Sequence, residues 1–98
     1  MERKLWHNTT IDEIIEEVTR ISKEYGVRHL FLFGSYAKGT YTDTSDIDFI
    51  VQGIVNKDAY LEEINRIRTL KTIDIFDYDA CKNECLKEDM DKYGSKIY

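Results

Sequence analysis

Ile11, Ile14, Ile15, Val18 and Ile21 recur at helical spacing, which predicts an amphipathic helix with one apolar stripe turned to a core. Thr10-Ile11-Asp12-Glu13 stands ahead of the stripe as a capping box, in which Thr10 accepts from a first-turn N–H and Glu13 reaches back. Tyr25 extends the stripe, and Gly26 is placed to end the helix in a left-handed conformation. Residues 27–33 are β-branched and aromatic and predict a strand buried on both faces, stopped by Gly34. Residues 36–44 predict a short helical turn and then a loop. The stretch after it alternates: on a strand, Asp46, Asp48 and Ile50 share one face, and Ile47, Phe49 and Val51 the other. Residues 52–56 form a connection, and Asn56 caps a predicted helix reaching about residue 70, with Leu61, Ile64 and Ile67 as its stripe. Residues 72–76 predict a third strand, with Ile73 and Ile75 on one face and Asp74 and Phe76 on the other. Asp77-Tyr78-Asp79 turns the chain into a last helix over about residues 80–93. Gly94 caps that helix, and Lys96-Ile97-Tyr98 follows as an edge strand. The expected fold is α/β with an α+β-like character: a small mixed β-sheet with flanking helices, in the order α-β-α(short)-β-α-β-α.

Composition narrows the function classes. Ninety-eight residues allow one domain, residues 1–98, with a modest core. A net charge of -5 gives no basic footprint for a nucleic-acid backbone, so direct DNA or RNA binding is not expected, and an acidic body suits a basic protein partner. No apolar run approaches the roughly 20 residues that span a bilayer, and residues 1–6 lack a signal peptide's apolar core, so a cytoplasmic protein is expected. Cys81 and Cys85 lie four apart in a segment that reads as helix, without the paired Cys or His sets of a zinc site, and are read as packing residues.

The chemistry lies in residues 30–51. Asp46, Asp48 and Asp74 interrupt apolar strands, where an unpaired charge costs several kcal/mol, on the order of the stability of a domain this size. Asp46 and Asp48 point the same way and repel unless a cation lies between them, and a hard, oxygen-seeking divalent ion such as Mg2+ suits them. Two such ions bridging to phosphate oxygens would compensate the acids and support in-line displacement, so phosphoryl or nucleotidyl transfer is the expected reaction class. Gly34 lets backbone N–H groups approach an anion and Ser35 adds a hydroxyl donor, together a candidate triphosphate cradle. Two neighbouring motifs fail on inspection. Gly34-x4-Gly39-Thr40 begins like a phosphate-binding P-loop, but Thr40-Tyr41 stands where Lys and Ser or Thr are required. The stretch from Asp43 begins like a calcium loop, but Asp48 stands where that loop needs Gly, and Ile54 where it needs Glu.

Gly34-Ser35, ten residues, then Asp46-x-Asp48, with an apolar strand before and Asp74 in a third strand after, resembles the minimal nucleotidyltransferases of the DNA polymerase beta superfamily. The compact chain with Gly-Ser-x-Ala-x-Gly and Ser-Asp-x-Asp is similar to the MNT antitoxins of HEPN/MNT toxin–antitoxin pairs. The resemblance implies the nucleotidyltransferase fold, ATP held through its triphosphate by Gly34 and Ser35, and two Mg2+ ions at Asp46 and Asp48. It gives Asp74 as the third acid of the metal site, deprotonating or orienting the acceptor hydroxyl. It further implies transfer of AMP to a tyrosine of a HEPN ribonuclease toxin, which is silenced, and a hetero-oligomer with that toxin. Lys38 is read either as a phosphate contact or as a solvated loop lysine, and Tyr36 and Tyr41 either stack on a base or shield the loop. Larger enzymes of the superfamily grip nucleotide and acceptor with a further domain, so a partner is expected to complete the site here. The competing readings are a non-catalytic antitoxin that masks its toxin by stoichiometric binding, and nucleotidyl transfer to a small molecule such as an aminoglycoside.

Overall fold

Thr10 and Glu13 close the capping box as the sequence predicts: the Glu13 N–H donates to Thr10 Oγ1 at 3.2 Å and the Thr10 N–H to Glu13 Oε1 at 2.9 Å. Helix α1 runs from there over Ile11–Glu24 and ends at Gly26, whose φ of 74° is left-handed. The computed structural model describes residues 10–42, 44–69 and 71–98. In chain order the further elements are β1 (His29–Phe33), α2 (Gly34–Lys38), β2 (Ile47–Gln52), α3 (Lys57–Ile64), β3 (Ile73–Asp77), α4 (Glu84–Tyr93) and β4 (Ser95–Lys96), with a 3-10 turn at Tyr78–Ala80 before α4. The strands form one mixed sheet in the order β3-β2-β1-β4. β2 and β3 are parallel, joined by the α3 crossover, and β1 is antiparallel to both β2 and β4.

The two faces of this sheet differ. On the back, Leu30, Ile47, Phe49 and Val51 are buried against Ile14, Val18 and Ile21 of α1 and Tyr60 and Ile64 of α3, with Leu32, Ile73 and Ile75 packed at the margin. Each fully buried apolar side chain there contributes about 1.5–3 kcal/mol. The front carries Phe31, Phe33, Asp48, Ile50, Asp74 and Phe76. Among the described residues α4 covers part of it, with Met90 buried and the helix end at Gly94 against Ile50, and Tyr78 of the 3-10 turn stands beside them. β1 is therefore not buried on both faces: Leu30 is enclosed, whereas His29, Phe31 and Phe33 on the front and Leu32 at the margin of the back are half-buried.

Several boundaries depart from the sequence pattern, each for a local reason. Asp46 lies one residue before β2 and is exposed. α3 stops at Ile64, where tight bonds from Arg66 N to Glu63 O and from Ile67 N to Ile64 O, both 3.1 Å, replace helical ones. Its expected end at residue 70 falls outside the described residues. The last helix begins at Glu84 rather than near residue 80, because Asp77 accepts from Asp79 N to close the 3-10 turn and Asn83 then caps through Leu86 N at 3.0 Å. Cys81 therefore precedes α4. Both cysteines are free and Cys85 is exposed, so the pair does not pack on one helical face. Gly94 caps α4 in an extended conformation, φ -68° and ψ 132°, not a left-handed one. A Cβ there would meet Met90 O at 2.6 Å, so close approach is what demands glycine. The edge strand is Ser95–Lys96, and Ile97 N and Tyr98 O extend its ladder to Leu30.

The stripe of α3 also misses its most buried residue. Tyr60 is fully enclosed, its hydroxyl 2.7 Å from that of buried Ser22 on α1, and burial pushes its pKa up to about 12. Tyr60→Phe or Ser22→Ala should each lower stability by about 1–2 kcal/mol by leaving a buried hydroxyl alone, and the double variant should cost less than the sum. Urea unfolding of the three variants checks this, and simple additivity would contradict it.

Candidate active site

β1 delivers the chain to the front face at Phe33, and Gly34 turns it at once into α2 with a left-handed φ of 70°. The position admits no side chain: a Cβ at Gly34 would collide with the Asp48 carboxylate. Glycine is thus required twice, for the turn and for the carboxylate packed against it. Ser35 follows in the first turn of α2. Its carbonyl accepts from Thr40 N at 3.0 Å, and no hydrogen bond to its hydroxyl is found among the described residues.

Register assembles the acids. Phe33 is the cross-strand partner of Asp48, and Asp48 is the partner of Asp74, so the two carboxylates stand side by side on the front face of β2 and β3. Adjacent strands lie about 4.8 Å apart. Partial burial, then the charge of Asp74 and a hydrogen bond shared with it, then the charge of Asp46, raise the Asp48 pKa from 3.8 to about 6. Exposed Asp46 thus stands within electrostatic reach, one residue ahead of β2. Just ahead of it Thr42 N donates to Ser45 Oγ at 2.8 Å. Among the described residues no three His, Cys, Asp or Glu side chains converge at metal-holding geometry. The Asp48–Asp74 pair fits a hard divalent cation nonetheless. Its oxygens are the donors such an ion prefers, and the mutual repulsion that lifts the Asp48 pKa is what a cation would relieve.

The remaining candidate residues make contacts of their own. Lys38 ends α2 with its ammonium 4.6 Å from the centre of the Tyr93 ring on α4. Tyr36 and Tyr41 stack on each other, centroids 4.4 Å apart and planes at 10°, and Tyr36 is partly buried against the hydrophobic core. Asp77, three residues beyond Asp74, pairs with Lys57 at 3.5 Å. Sequence reasoning did not find Phe33 and Phe76, whose rings meet beside the acids at 6.0 Å. Their only signal was that Phe76 shares a strand face with Asp74.

A mixed sheet with a glycine–serine turn above a row of paired acids has the layout of the nucleotidyltransferase fold. The family described as Nucleotidyltransferase domain matches residues 11–90, and the chain belongs to it. Among curated relatives, the Methanocaldococcus jannaschii protein named "Putative protein adenylyltransferase MJ1379" is 34% identical over 90 residues, covering 84% of this chain and 89% of its own length. Two similarly named proteins of that organism, MJ0604 and MJ1547, are 39% and 40% identical over 51 and 57 residues, and there the match spans only 51% and 43% of the relative. Among solved structures, a toxin–antitoxin crystal structure with AMP-PNP superimposes with a TM-score of 0.70 at 20% identity, covering 85% of this chain and 71% of that one. A mutant of the toxin–antitoxin MntA-HpeT gives 0.67 at 16%, covering 85% and 70%. Among the described residues no helix is long and apolar enough to cross a membrane.

Proposed function

We propose that the chain is a Mg2+-dependent nucleotidyltransferase that moves AMP from ATP to a hydroxyl, a tyrosine of a partner HEPN ribonuclease toxin, and acts as that toxin's antitoxin. The in-register Asp48–Asp74 pair beneath Gly34-Ser35, with Asp46 just ahead, carries the reading. Protein adenylyltransferase names among the relatives and toxin–antitoxin structures among the fold neighbours support it. When bound, the metal supplies charge neutralisation at the phosphates and at the acceptor oxygen. Asp46 and Asp48 would hold it, and Asp74 would join them or receive the acceptor's proton. The acceptor oxygen bonds to the α-phosphorus of ATP, the bond to pyrophosphate breaks, and pyrophosphate leaves. Ser35 donates its hydroxyl to a phosphate oxygen, and the partner supplies the other wall of the site.

Asp74 and Asp77 test the assignment, because they lie three residues apart on one strand and only Asp74 faces the acid row. Transfer of labelled AMP from ATP to the toxin should vanish with Asp74→Asn and persist with Asp77→Asn, and the reverse pattern would refute the site. Ser35→Ala should weaken binding of a non-hydrolysable ATP analogue by about 1.5–3 kcal/mol, since the lost donor faces a charged acceptor. Calorimetric titration measures it, and unchanged affinity would remove Ser35 from the cradle.

A further inference from the structure

Two rings with no part in this chemistry stand beside the acids. Phe33 is the cross-strand partner of Asp48, and Phe76 the partner of Ile50. Partners project from the same face of a sheet, so Phe33 shares the row of Asp48 and Asp74 while Phe76 stands in the next row with Ile50. β2 lies between the strands that carry the rings, which are therefore about 10 Å apart. Yet the ring centres are only 6.0 Å apart, with planes at 82°. The rings must reach over β2 and meet across the line from Asp48 to Ile50, edge to face, an arrangement in which aromatic rings attract. Gly34 backs the Asp48 carboxylate. Farther along the same face, past Ile50, lies a cavity of about 120 Å³ lined by Phe31, Gln52, Tyr78, Met90 and Asp91, and neither ring of the pair lines it.

We propose that Phe33 and Phe76 form a positioning wall for the acid row, holding the Asp48 and Asp74 carboxylates side by side, so that a divalent cation meets a preformed oxygen pair. This rests on the metal-dependent reading above. Two carboxylates that repel splay apart when their side chains are free to rotate, and a cation must then gather them before it binds. Rings locked against each other remove that freedom from one side. Supporting residues of this kind govern metal affinity by about 10–100-fold without touching the metal. A pair that merely filled space would contribute to stability and to nothing else.

The test uses Phe76→Leu and Phe33→Leu, with Phe31→Leu as the comparison, since Phe31 lies on the same face but lines the cavity. Mn2+ binding to the nucleotide-free protein is titrated by calorimetry, alongside thermal melting and the kcat and KM for ATP. Phe76→Leu should raise the Mn2+ Kd about tenfold and lower kcat, with KM changed by no more than about twofold. Phe31→Leu should lower Tm while leaving the Mn2+ Kd unchanged, and Phe76→Tyr, which keeps the ring, should restore it. If Phe33→Leu does not fold, Phe76→Leu on the outer strand decides alone. Wild-type Mn2+ affinity in a folded Phe76→Leu protein overturns the wall. Asp48→Asn separates the two levels: if it loses Mn2+ while the ring variants keep it, the wall alone falls, and if it binds Mn2+ like the wild type, the metal reading falls with it.

Discussion

Asp48→Asn is expected to lower ATP-dependent transfer by at least about 10³-fold, roughly 4 kcal/mol of barrier, while making the metal-free protein more stable. The two effects share one cause. Asp48 is pressed against Gly34, beside Asp74 and near Asp46, so its charge is costly to the fold by itself, and a cation sharing it would offset that cost. Its folded pKa of about 6 lies above its ordinary 3.8, so the native state holds the proton more tightly than the unfolded chain does. The stability contributed by protonated Asp48 is therefore fully present below pH 3.8 and lost as pH rises through about 6. The shift alone converts to about 3 kcal/mol, at 1.36 per pH unit, but the carboxyl is half open to solvent and an effect on the order of 1 kcal/mol is expected. Denaturant unfolding of both proteins should show a gap that opens between pH 4 and 6 and is flat above about 7, with Asn the more stable. A gap of opposite sign, or retained transfer, would contradict the assignment.

Gly34→Ala should be nearly as damaging by a different route. A side chain at a φ of 70° is strained, and its Cβ would occupy the place of the Asp48 carboxylate, so either α2 or Asp48 must shift. A loss of about 2–3 kcal/mol in stability and about 10²-fold in transfer is expected, the second because a displacement near 1 Å in a reacting group costs that much. Gly39→Ala is the control. Its φ of 78° is equally strained, but among the described residues no atom lies within 4 Å of a Cβ there. It should cost about 1 kcal/mol and leave transfer intact. Equal effects of the two substitutions on transfer would mean that the turn, and not its contact with Asp48, is what matters.

These consequences show what the chain reveals before it folds. The face of α1, the stop at Gly34 and the shared face of Asp74 and Phe76 follow from periods of 3.6 and 2 and from one glycine, all local properties. The ends of α3 and α4 did not, because Asp77, Asn83 and the tight bonds after Ile64 set them, and such side-chain-to-backbone choices compete closely with helix. Asp46 was expected on the strand with Asp48, yet the strand begins after it, which leaves Asp46 exposed at the mouth of the site. Pairings across elements were hidden altogether. Ser22 meets Tyr60 only because α1 packs on α3, and Phe33 meets Phe76 only once the registers of three strands are known.

The most direct test of nucleotidyl transfer as the means of neutralisation is the intact mass of the partner toxin after incubation with a substoichiometric amount of this protein, ATP and Mg2+. The toxin should be silenced and should carry the added mass of AMP, and the Asp46→Asn variant should do neither. Silencing only at equimolar ratio, without added mass and equally well by Asp46→Asn, would contradict catalysis and leave a protein that masks its partner by binding.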